Sequence, residues 1–166
     1  MKKLIKNLVC YMVAFIGILI ITSNLKAATL SVGSNSGAPD DKNITIPINL
    51  TSSPGEKVCG LNFDLNFDTS RMFFKEVTLN QVAMDADKSL SYSQPSSNTI
   101  RVVVIGLNQN VIGDGTVLNF TFDVLNNVSG GKAKLNIMDP SISDPKGKQL
   151  AVNTVDSAII LGGKLK

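Results

Sequence analysis

The stretch Val58–Phe67, VCGLNFDLNF, places Leu61, Phe63, Leu65 and Phe67 on one side and Gly60, Asn62, Asp64 and Asn66 on the other. Side chains in a strand point alternately to opposite faces, so this segment buries one face and presents a polar one. The same period recurs along the chain. In ITIPINL, Ile44, Ile46, Ile48 and Leu50 oppose Thr45, Pro47 and Asn49. In VLNFTFDVL, Leu118, Phe120, Phe122 and Val124 oppose Asn119, Thr121 and Asp123, and in KAKLNI, Ala133, Leu135 and Ile137 oppose Lys132, Lys134 and Asn136. Pro47 has no N–H to donate, which predicts an edge strand or a bulge there. TIRVVVIG, Thr99 to Gly106, is more continuously apolar and reads as a central strand covered on both sides. Turn signals rich in Gly, Pro, Asp and Ser separate these runs (SSPGEK, QPSSN, IGDG, VSGG, SDPKG). No long stretch has helical period; Gln81–Ser89 is the one loop expected to hold a helical turn. Short strands at this spacing predict an all-β, antiparallel sandwich or jelly roll of about nine strands.

The first 28 residues stand apart. A basic MKKLIKN is followed by an apolar run from Leu8 to Thr22 and a short polar end with Ala27 and Ala28. This predicts a secretory signal peptide over 1–28, cleaved after Ala27 or Ala28, and one domain over 29–166. The expected location is secreted, extracellular or in the cell envelope, with no membrane attachment after cleavage. The whole chain has 16 basic and 13 acidic residues, but Lys2, Lys3, Lys6 and Lys26 all lie in the leader. The remainder is close to neutral, so its composition gives no support for nucleic-acid binding. Cys10 also falls in the leader, leaving Cys59 as a free, half-buried structural thiol.

Catalysis finds little material. The chain has no histidine, so it lacks the commonest general base, and Cys59 has no imidazole partner. The pairs Asp64 with Asp68 and Asp85 with Asp87 read as solvated acids rather than a hydrolytic pair. Gly113–Gly115 and the loop bearing Asp139 and Asp144 lack the spacing of a twelve-residue calcium loop and read as Asp-driven turns. No catalytic residue, metal or cofactor is therefore expected. A carbohydrate-binding module is the alternative that a jelly roll allows. Its aromatic supply is thin: there is no tryptophan, Tyr92 is the sole tyrosine outside the leader, and only one of Phe73 and Phe74 can point inward. A structural envelope protein associating through an edge strand is a further reading.

The ordered motifs resemble the cohesin domain family. LSVGSNSGAPDDKNITIPINL is similar to a cohesin's first strand, its Gly-x-Pro-Gly-Asp-like loop and the strand that follows. VCGLNFDLNFDTSRMFFKEV resembles the third strand and its exit, and GDGTVLNFTFDVLNNVSGGKAKLNI the later Phe-rich strand and hairpin. The likeness spans nearly all of Thr29 to Gly163. Asp40 stands where the family has glycine, a position Asp tolerates in a left-handed turn, and Thr69 replaces a proline. The resemblance implies a nine-stranded jelly roll that docks a dockerin, a small calcium-loaded helical module, in assemblies that degrade polysaccharide. It implies a docking face made of Gly60, Asn62, Asp64 and Asn66 from the third strand, Val102, Val104 and Gly106 from the sixth, and Lys132, Lys134 and Asn136 from the eighth. In that arrangement Asp64 neighbours Lys134 or Lys132. Gly60 and Asn62 depart from the residues that many cohesins place there, so a dockerin-like or other extracellular protein is the expected partner.

Overall fold

The computed structural model describes residues 27–162. The chain runs β1 (Ala28–Val32), β2 (Asn35–Gly37), β3 (Ile44–Thr51), β4 (Gly60–Phe67), β5 (Met72–Leu79), α1 (Gln81–Asp85), β6 (Ser89–Ser96) and β7 (Thr99–Ile105). It continues through β8 (Gly115–Val124), β9 (Gly131–Ser143), β10 (Gln149–Leu150), β11 (Val152–Val155) and β12 (Ser157–Leu161). One sheet has the order β11-β1-β3-β8-β5, the other β2-β12-β9-β4-β7-β6, with β10 paired to β9. The two pack face to face as a sandwich. The helical turn expected after Asn80 is α1, whose first amide, at Gln81, donates to the Asn80 side chain. The expected leader lies outside the described residues except for Ala27 and Ala28.

The core follows from the alternation. Ile44, Ile46, Ile48 and Leu50 of β3 meet Leu61, Phe63, Leu65 and Phe67 of β4, and all eight are buried. Phe120, Phe122 and Val124 of β8 and Ala133, Leu135 and Ile137 of β9 complete the two inner faces. Rings form the centre: Phe120 lies 6.3 Å from Phe63, 6.2 Å from Phe74 and 6.4 Å from Phe122, and Phe67 lies 5.3 Å from Phe122. Of the adjacent pair on β5, Phe74 joins this cluster, whereas Phe73 stays 58% exposed.

Three local features differ from the pattern read in the sequence. Two pairings are parallel, β1 with β11 and β12 with β2, within an otherwise antiparallel structure. Second, β3 is not an edge strand, for it lies between β1 and β8. Pro47 is accommodated because the β1 ladder ends at Val32 opposite Ile48, one residue short of it. The Pro47 carbonyl accepts from Gly33 N at 2.7 Å, and its missing N–H faces the same side, where no strand continues. A register shift against β8 follows at Ile48/Asn49, and it lets both Val117 and Leu118 turn into the core. Third, TIRVVVIG is central but covered on one side only: Ile100, Val102 and Val104 are fully buried, while Arg101 and Ile105 are exposed.

Asp40 adopts φ 75°, inside the left-handed region. Replacing it by glycine removes the Cβ penalty at that conformation. Asp40→Gly is expected to raise stability by up to about 1 kcal/mol, read as a later urea midpoint, and Asp40→Val to lower it.

Candidate protein-binding face

The outward side of β9-β4-β7-β6 is a continuous sheet face. Cross-strand partners project to the same side, so the register defines its rows. Asn62 sits between Ser141 on β9 and Val103 on β7, Asp64 between Met138 and Arg101, and Asn66 between Asn136 and Thr99. Ser91 of β6 extends the Val103 row and Ser93 the Arg101 row.

Asp64 is the anchor of the face. Its carboxylate is largely buried beneath Arg101 and accepts two hydrogen bonds, from Nε and from an Nη, both at 2.7 Å. This two-pronged geometry is the strong form of a carboxylate–guanidinium contact. The hydrogen bond, and then the charge of Asp64, raise the pKa of Arg101 above its ordinary value, with a smaller charge contribution from Asp139. Beside the pair, Thr99 Oγ1 donates to Asn66 Oδ1 at 2.5 Å. The side chains of Asp64 and Asn66 are thus held in place by β7.

β9 carries a bulge at the middle of the face. Between Asn62 and Asp64 it advances from Ser141 to Met138, one residue more than β4. Asp139 takes φ 47° there, and Pro140 occupies a position where a missing ladder bond is tolerated. The bulge leaves Met138 45% exposed beside Asp64. With half-buried Val103 and exposed Ile105 it gives the face an apolar strip inside a polar surround. Leu107, just past β7, extends the strip at the same end and is fully exposed.

Most of the residues expected on this face are on it. Asn62, Asp64 and Asn66 point outward from β4, and Lys132, Lys134 and Asn136 from β9, with Gly60 at the start of the β4 row. Val102 and Val104 are corrected: both are fully buried in the core, because Arg101 points outward and so turns its even-numbered neighbours in. Gly106 lies past the strand, packed against the Asp87 carbonyl and the Asn108 and Lys88 side chains, and offers no side chain to the face. Asp64 pairs with Arg101 rather than with Lys134 or Lys132. Those lysines lie beyond the end of β4, opposite Ala158 and Ile160 of β12. Arg101, Val103, Ile105 and Met138 are the functional candidates that pattern reading missed.

A family model described as "Cohesin domain" matches residues 28–161. The chain belongs to the cohesin family. No curated protein matches it in sequence. Among solved structures, this cohesin is similar to the sixth cohesin of Acetivibrio cellulolyticus scaffoldin B, whose structure is a complex with a Cel5 dockerin mutant. The TM-score is 0.73 at 16% identity, covering 81% of this chain and 99% of that one. It is also similar to the cohesin of a Coh-OlpA–Doc918 complex from Clostridium thermocellum, with TM-score 0.72, 16% identity, and coverage of 81% and 99%. A third is a non-cellulosomal cohesin from the hyperthermophilic archaeon Archaeoglobus fulgidus, with TM-score 0.68, 21% identity, and coverage of 81% and 91%. At these identities the likeness to solved structures is one of fold, and it matches the two-sheet jelly roll described above.

Proposed function

We propose that this cohesin is a secreted, non-catalytic binding module that docks a calcium-loaded dockerin-type helical module on the outward face of β9-β4-β7-β6. The observation that carries the reading is the strip of Val103, Ile105 and Met138 set around the Asp64–Arg101 pair. An apolar centre within a polar rim is the composition of non-obligate protein recognition, and two of the similar structures hold a dockerin. Secretion rests on the leader-like first 28 residues. Cleavage after Ala27 is favoured over Ala28, since Ala28 is fully buried in β1 and its amide donates to Ala151 O at 3.0 Å.

Titration of the chain with a panel of dockerins, in calcium and in chelator, tests this reading. Saturable binding that chelator abolishes is expected; absence of binding across the panel overturns it. A carbohydrate-binding role has weaker footing, because the two exposed rings among the described residues do not make one platform. Tyr92 meets Phe74 edge-on at 6.1 Å, while Phe73 leaves the opposite face of β5. Retention on polysaccharide that is lost in Tyr92→Ala or Phe73→Ala would revive it.

A further inference from the structure

At the Ile105 end of the sandwich, outside the proposed docking contacts, a buried amine faces a thiol. Lys88, the residue before β6, is only 6% exposed. Its Nζ donates to Asn108 Oδ1 at 2.7 Å and to Cys59 Sγ at 3.3 Å. Cys59, the residue before β4, is half-buried and in no disulfide. The lysine stem is confined: a Cβ placed on Gly106 would sit 3.2 Å from Lys88 Cδ, and the Lys88 amide is bonded to Ala83 O. Among the described residues Lys88 makes no salt bridge. The buried Lys88 nitrogen is thus held against a sulfur nucleophile.

We propose that Cys59 and Lys88 are a modification site at which a peroxide installs an oxygen bridge, Sγ–O–Nζ, between the two side chains. In the first step the thiol sulfur attacks hydrogen peroxide; the O–O bond breaks, an S–O bond forms, and the products are a sulfenic acid and one water. In the second, the amine form of Lys88 and the sulfenic acid are joined by a second peroxide. An N–O bond forms, the sulfenic O–H and one N–H are lost, and two waters leave. Sulfur and nitrogen each give up two electrons, which reduce the two peroxides. The 3.3 Å separation suits a bridging oxygen, whereas a direct S–N bond would have to draw the confined stem much further. The bridge ties the entry of β4 to the entry of β6 and closes a loop through β5 and α1. It makes the Ile105 end of the sheet a redox-controlled staple. This inference does not depend on the identity of any partner.

The test is mass mapping of the full chain after peroxide treatment and trypsin digestion. Expected is a cross-linked pair, residues 58–71 joined to 76–101, heavier than its two parts by one oxygen less two hydrogens. Cleavage after Lys88 should be lost, and a dithiol should restore thiol and amine. Mapping by peptide keeps Cys59 distinct from Cys10. In Lys88→Arg the same treatment is expected to carry Cys59 on to sulfinic acid with no cross-link. Recovery of wild-type Cys59 only as sulfinic or sulfonic acid, or as a disulfide between chains, with Lys88 still cleaved, would overturn the proposal. A bond of S–N mass lacking the oxygen would overturn it as well. Because the decisive reading is made on the wild-type chain, misfolding of the arginine variant does not affect it.

Discussion

Phe120→Ala is expected to cost about 3–5 kcal/mol, the range for removing a buried ring from a packed core. Phe120 is fully buried and touches three other rings, Phe63, Phe74 and Phe122, two of them on facing or neighbouring strands. Truncation leaves a cavity at the point where both sheets meet. Each lost ring pair also forfeits about 0.5–1.5 kcal/mol beyond the area term. Against a total stability of about 5–15 kcal/mol for a domain, that is a fall in Tm of about 10–20 °C. The control is on the neighbouring strand: Phe73→Ala, at a ring more than half exposed, should change stability by less than about 1 kcal/mol. Thermal and urea unfolding of the two variants side by side separates burial from residue type. Equal losses would contradict the inner-face assignment of β5 and β8.

The second large effect is on binding. Val103→Arg is expected to weaken capture of a calcium-loaded dockerin by at least about tenfold, or about 1.4 kcal/mol, while leaving Tm within a few degrees. Val103 lies in the Asn62 row, beside the Asp64–Arg101 row, where a truncated or charged centre of an interface costs most. Val102→Arg, one residue earlier, should behave in the opposite way. It forces a cation into the core against Phe63 and should abolish folding before any question of binding arises. Calorimetric titration of Val103→Arg, and circular dichroism of both variants, reads this parity directly.

The core was legible wherever polar and apolar residues alternate. β3, β4, β8 and the first half of β9 bury the residues that their pattern names. β7 was not legible in the same way, since Val102 to Ile105 is an unbroken apolar run and period two has nothing to act on. The one charged residue in that strand, Arg101, held the signal: a guanidinium points to water, which sends Val103 and Ile105 out and Val102 and Val104 in. Register was the other hidden quantity. The Asp139–Pro140 bulge shifts β9 by one residue against β4, so Asp64 meets Met138; the lysines lie past the strand end because β4 stops at Phe67, opposite Leu135. Such offsets depend on long-range pairing, and a local pattern does not encode them.

The docking-face claim is tested most directly by methyl-resolved NMR of the chain titrated with a calcium-loaded dockerin. The account predicts large shifts at the methyls of Val103, Ile105 and Met138, and small ones at Val102 and Val104 on the same strand but beneath the sheet. Shifts confined to the outward side of β3 and β8, or no shifts at all with every dockerin tried, would contradict it.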